Sequence, residues 1–146
     1  MHKLLVLLCT LLALASPAQA ARDWPVEVTL AGRATTVQIY EPDPLPPVEG
    51  RGAVILVHGF TRTRATMVGH AQALAQAGFV VVVPDLPYAL DSRDNAVALR
   101  ELLERLREGH FAPSVQRLVL VGFSAGGLSA LLASSAPGVV GFVGLD

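Results

Sequence analysis

Ser124 stands in Gly122-Phe123-Ser124-Ala125-Gly126-Gly127, a Gly-x-Ser-x-Gly motif with one further glycine. The apolar, β-branched run Leu118 to Val121 precedes it, and Leu128-Ser129-Ala130-Leu131-Leu132-Ala133 follows with helical composition. A strand, a tight turn carrying one serine, and a helix in immediate succession form the setting of a nucleophile elbow. Lifting a serine hydroxyl clear of a sheet needs a sharp turn and a strained serine backbone. Strand and helix then pass so closely that a Cβ at Gly122 or Gly126 would collide. The first turn of the helix aims free N–H groups and a positive dipole end at the same spot, so the N–H of Ala125 can meet an oxyanion formed beside Ser124. The competing reading is a glycine-rich βα turn without chemistry, or one that binds phosphate. A dinucleotide fingerprint needs Gly-x-Gly-x-x-Gly, and Phe123-Ser124 stands where its second glycine belongs.

A serine alcohol becomes a useful nucleophile only when a base takes its proton and an acid orients that base. His58 lies at the end of an apolar run, in His58-Gly59-Phe60-Thr61. That position suits a residue that holds its loop by hydrogen bonds better than a general base. His70 falls on a helix and His110 just beyond another, as surface or boundary residues. No histidine follows Ser124, so the general-base histidine is not in the chain. Asp146 is the first carboxylate after Ser124, at the end of an apolar strand where α/β sheets assemble their sites. Two readings stay open for it: the triad acid, or a strand-end turn residue with the acid after a later strand. No cluster of His, Cys and carboxylates has metal-ligand spacing, so no metal is expected, and the chemistry needs no cofactor.

Elements that position these residues follow from periodicity. Val26 to Leu30 and Thr35 to Tyr40 alternate around Ala31-Gly32-Arg33, which predicts an antiparallel hairpin. Pro42 to Gly50, with Pro42, Pro44, Pro46 and Pro47, predicts a stiff loop in which no ladder persists. Ala53 to Val57, Phe79 to Val83 and Leu118 to Val121 read as strands buried on both faces of a parallel sheet, with a fourth strand over Val139 to Val143. Helices are expected over Thr66 to Ala77, from Asp91 to a stop at Gly109, and over Ala125 to Ser134. In the long helix Val97, Leu99, Leu102, Leu103 and Leu106 are expected to form one face, with the pair Glu101 and Arg105 on the wet side. A hairpin followed by β-α-β-α-β-α-β defines an α/β fold with a mostly parallel sheet.

Of the 146 residues, the first 20 read as a secretory signal peptide. Met1-His2-Lys3 is a basic start, Leu4 to Leu14 is apolar, and Ala18-Gln19-Ala20 is a small-residue cleavage site. The apolar run is short for a membrane span, so none is expected after cleavage, and the protein is expected to be secreted or periplasmic. Cys9, the only cysteine, leaves with the signal, so the single domain expected over residues 21–146 relies on packing. A net charge of −1 without any basic block gives no footprint for nucleic acid. Ending directly after an apolar strand, the domain is expected to be incomplete.

With these pieces placed, the chain resembles the α/β-hydrolase superfamily, and within it the secreted esterase branches: dienelactone-hydrolase-like proteins, chlorophyllases and cutinase-like polyester hydrolases. His58-Gly59-Phe60-Thr61, Ala77-Gly78-Phe79-Val80-Val81 with Pro84-Asp85, and the Ser124 motif carry the resemblance, from about Ala53 to Asp146. It implies Ser124 as nucleophile, the backbone N–H groups of Phe60 and Ala125 as oxyanion hole, and Gly59, Gly122, Gly126, Gly127 and His58 as support for the loop and elbow. It further implies a triad in the chain order serine, acid, histidine, and hydrolysis of small-molecule or polymeric carboxylic esters. Gly144-Leu145-Asp146 looks like the Gly-x-Asp of chlorophyllases and pancreatic-type lipases, whereas cutinase-like enzymes place the acid one strand later. Lacking the histidine, this polypeptide departs from all of them, and 1–146 by itself is expected to be inactive. Two alternatives are a non-catalytic or degenerate α/β-hydrolase that binds without turnover, and a flavodoxin-like domain holding flavin or nucleotide.

Overall fold

The computed structural model describes residues 20–110 and 112–146. Residues 1–19, with Cys9 and nearly all of the expected signal peptide, lie outside the described residues. Six strands form one sheet in the order β1-β2-β4-β3-β5-β6. They are β1 (Ala20–Leu30), β2 (Arg33–Asp43), β3 (Gly52–Val57), β4 (Val80–Pro84), β5 (Arg117–Phe123) and β6 (Val139–Leu145). β1 and β2 make the expected hairpin, and β2 pairs antiparallel with β4 through Val37 to Tyr40. From β4 through β3 and β5 to β6 all neighbours are parallel. Three helices complete the fold: α1 (Val68–Gln76), α2 (Ser92–Glu108) and α3 (Ala125–Ala133).

The sheet separates two cores. On one face Ile39, Ile55, Val82, Leu118 and Leu120 pack with the buried leucines of α2 and with Ala130 and Ala133 of α3. On the other Tyr40, Val54, Leu56, Val81 and Val83 pack with Met67, Ala71 and Ala75 from α1 and the 3₁₀ turn before it. The strands under both layers, β3 and β4, are buried almost throughout, as their uninterrupted Val/Ile/Leu runs require.

Four expectations need correction. The ladder with β1 runs on through Glu41, Pro42 and Asp43, because β2 and β4 part after Tyr40 and the missing N–H of Pro42 faces no third strand there. Buried residues of α2 are Asn95, Ala96, Ala98, Leu99, Leu102, Leu103 and Leu106, whereas Val97 is 50% exposed. At 3.6 residues per turn Val97 points away from Leu99, and the polar Asn95 occupies the covered face instead. Glu101 does pair with Arg105, but it also accepts the Ala31 N–H at 2.8 Å, so it faces the hairpin rather than water alone. β5 is buried on one face only: α1 packs over β4, β2 and β1 and leaves Val119 and Val121 half-covered.

α2 begins at Asp91, whose carboxylate accepts the N–H groups of Arg93 and Asp94, and ends at Gly109 with φ +76°.

Candidate active site

β3 and β5 pair from Gly52↔Arg117 to Val57↔Gly122, so their C-terminal ends leave the sheet side by side. The loop after β3 and the turn after β5 therefore meet. A Cβ built on Gly59 would lie 3.5 Å from the Ser124 Cβ and 3.0 Å from the ring of Phe123. β6 reaches the same edge: Phe123 pairs with Leu145, and the Ser124 N–H donates to the Leu145 carbonyl at 2.9 Å. Asp146 thus follows at the end of the strand adjacent to that of Ser124.

Ser124 has φ +51° and ψ −124°, a backbone conformation that non-glycine residues seldom adopt. It precedes α3 in the capping position, yet its side chain caps nothing and is exposed. Gly122 and Gly126 make the turn sterically feasible. A Cβ on Gly122 would fall 2.5 Å from the Gly127 Cα, and one on Gly126 would strike the His58 carbonyl and lie 2.9 Å from that of Val57. At Gly127 the nearest atom would be the Gly122 carbonyl oxygen at 3.2 Å, a milder contact.

Among the described residues neither the Phe60 N–H nor the Ala125 N–H has an acceptor. Both residues line one cleft of about 440 Å³, together with Gly59, Gly126, Tyr88 and Ser129. Ser124 itself, one residue before Ala125, is outside that lining.

His58 is buried, and both its ring nitrogens are engaged. Nε2 accepts the Leu86 N–H at 2.9 Å, and Nδ1 lies 2.9 Å from the Gly59 carbonyl. A nitrogen that accepts an N–H carries no proton, so the ring proton sits on Nδ1 and is donated to Gly59. The ring ties the exit of β3 to the exit of β4. Asp85 braces the same region, accepting the Arg64 N–H at 2.7 Å and pairing with its guanidinium. His70 and His110 are exposed, on α1 and just after α2, and neither borders the cleft.

Three side chains at the cleft escaped the reading of the sequence: Tyr88, Asn95 and Ser129. For Asn95 a signal existed, since it stands four residues before Leu99 on the apolar face of α2. Among the described residues no group of three or more His, Cys, Asp or Glu could hold a metal ion, and no helix is long and apolar enough to cross a membrane.

Residues 54–146 match the alpha/beta hydrolase family, and the chain belongs to it. No curated protein matches the chain. Among solved structures it is similar to a dienelactone hydrolase from Anabaena variabilis (TM-score 0.72, 20% identity, 85% of this chain and 62% of that one). It is also similar to brefeldin A esterase, a bacterial homologue of human hormone-sensitive lipase (TM-score 0.63, 20% identity, 82% of this chain and 38% of that one). A third is epoxide hydrolase A from Mycobacterium thermoresistibile (TM-score 0.64, 21% identity, 86% of this chain and 39% of that one). At these identities the likeness is one of fold. The chain spans less than two thirds of the length of each of these structures.

Proposed function

We propose that this member of the hydrolase family is an exported serine hydrolase of carboxylic esters, of the secreted esterase branch, with Ser124 as its nucleophile. Relatives in fold are named for different reactions, and the chemistry of the site decides among them. One observation carries the reading: an uncapped, exposed serine hydroxyl on a strained elbow, beside two backbone N–H groups without acceptors. In the reaction Ser124 Oγ attacks the ester carbonyl carbon while its proton passes to a histidine. The carbonyl electron pair moves onto oxygen, where the N–H groups of Phe60 and Ala125 hold it. Collapse expels the alcohol, which takes the proton from the histidine, and water then releases the acid from Ser124 by the same steps.

We assign the base to a histidine beyond Asp146 in the gene product. Two facts support this: His58 has both nitrogens bound to backbone, and the chain spans 62% of the dienelactone hydrolase. Asp146, one strand over from Ser124 at the same edge, is our candidate for the acid. Export rests on the signal-like residues 1–20 and is checked by sequencing the N-terminus of the secreted or periplasmic protein, expected at Ala21.

A fluorophosphonate probe applied to the full-length gene product tests the activity. Labelling lost in Ser124→Ala is the expected result. A well-folded protein that takes no label, or labelling that survives Ser124→Ala, sinks the assignment. The first of those outcomes favours a binding module.

A further inference from the structure

The cleft that opens at the Phe60 and Ala125 N–H groups has a braced wall and a small floor. Tyr88 is the wall. The side-chain amide of Asn95, 4% exposed, is spent on its backbone: Oδ1 accepts the Tyr88 N–H at 3.0 Å, and Nδ2 donates to the Tyr88 carbonyl at 2.6 Å. The Tyr88 hydroxyl donates to the Ala31 carbonyl at 2.6 Å, at the tip of the β1–β2 hairpin. Arg33 lies over the ring, 4.2 Å from its centroid, and donates to the Pro87 carbonyl at 3.3 Å. The tip is itself anchored to α2, through the bond from the Ala31 N–H to Glu101. Widening the cleft at Tyr88 would break several of these contacts at once.

The floor is Ser129, one turn along α3 from Ala125 and therefore on the same helix face. It is 1% exposed and lines the cleft. Between wall and floor the surface is mostly carbon, from Phe60, Leu86, Pro87 and Leu90, and the charged side chain in the lining is Arg62, which is exposed. A volume of about 440 Å³ stands at the small end of the range for ligand sites.

Sheet order decides which half of an ester enters. β3 and β4, whose exits build the cleft, lie on one side of the Ser124 strand, and β6 with Asp146 lies on the other. The leaving alcohol must meet the proton carried by the base, and the base sits with its acid, so the alcohol faces the β6 side. The acyl chain is left to run between the two N–H donors into the cleft.

Resting on the reading of Ser124 as an ester nucleophile, we propose that the cleft is the acyl pocket for an ester with a short acyl chain, and that Ser129 sets its depth. A methylene accommodated or refused in an apolar pocket changes kcat/KM by about tenfold or more. The test uses p-nitrophenyl acetate, butyrate and hexanoate with the full-length gene product. Wild type is expected to favour acetate and butyrate, and Ser129→Leu to lower the hexanoate-to-acetate ratio of kcat/KM at least about tenfold. Ser129→Val, a smaller intrusion at a buried position, should shift the ratio in the same direction, and both variants are checked for cooperative thermal unfolding. A parallel series of acetate esters with lengthening alcohols should keep its ratios. Folded variants whose acyl ratios equal wild type overturn the proposal, as does a shift confined to the alcohol series. Loss of all Ser124-dependent turnover in the wild type itself sinks the hydrolase reading instead, and the pocket assignment falls with it.

Discussion

Ser124 holds φ at +51° without a glycine's freedom to do so. A residue in such a region carries about 1–3 kcal/mol of strain. The bond from its N–H to Leu145 and the packing of Gly59 against it keep the turn from relaxing. Ser124→Gly removes the Cβ that conflicts with the backbone but adds about 0.5–1 kcal/mol of chain entropy to the unfolded state. The net expectation is a gain of about 1 kcal/mol. Urea unfolding of this variant beside wild type measures it, and equal or lower stability would show that the turn stores no strain. The nucleophile is lost in the same variant, so probe labelling should vanish as stability rises. That opposition is what distinguishes a strained functional residue from an ordinary turn.

At the scale of elements, the elbow works because β5 and α3 touch through backbone rather than side chains. Gly126→Ala would drive a methyl into the His58 and Val57 carbonyls, which belong to β3 and its exit and cannot swing aside like a flexible side chain. A loss of about 1–3 kcal/mol or more is expected by urea unfolding, with Gly127→Ala costing less because its nearest atom is 3.2 Å away. A Gly126→Ala protein as stable as wild type would mean that strand and helix stand farther apart than described. The same contact explains what was legible in the sequence. Uninterrupted Val/Ile/Leu runs, a Gly-bounded serine and the capping pair Asp91 and Gly109 are local signals, and local physics sets β3, β4, the elbow and the ends of α2. The bracing of Tyr88 by Ala31 and Arg33 joins two segments distant in sequence, and nothing within either announces the partner, whereas Asn95 stands only seven residues from Tyr88. Val97 is apolar, yet its angle on the helix turns it away from Leu99 and into solvent. The covered face is set by where the sheet lies, and this put Asn95 inwards.

Across the whole molecule the two faces of the sheet are unequally covered. α2 and α3 blanket one face, while α1 on the other stops short of β5 and β6. Val119 and Val121 are left half-covered, and Val140 and Val143 on the edge strand are 58% and 45% exposed. An apolar strand at a sheet edge is a template for pairing with another chain, and a net charge of −1 supplies little repulsion to prevent it. A chain ending at Asp146 is therefore expected to self-associate as its concentration rises in the micromolar range. Replacing Val140 and Val143 together by Thr keeps β-branching, and so the strand, while making the outer surface polar. Sedimentation velocity should then show the association reduced, with the thermal midpoint nearly unchanged, since exposed substitutions shift stability by only about 0.5 kcal/mol. If the wild-type chain stays monomeric at every concentration tested, the exposed valines are not sticky and this account of the open face is wrong. If the double variant associates as strongly as wild type, the contact lies elsewhere, and the exposed leucines of α3, Leu128 and Leu131, are the next surface to make polar.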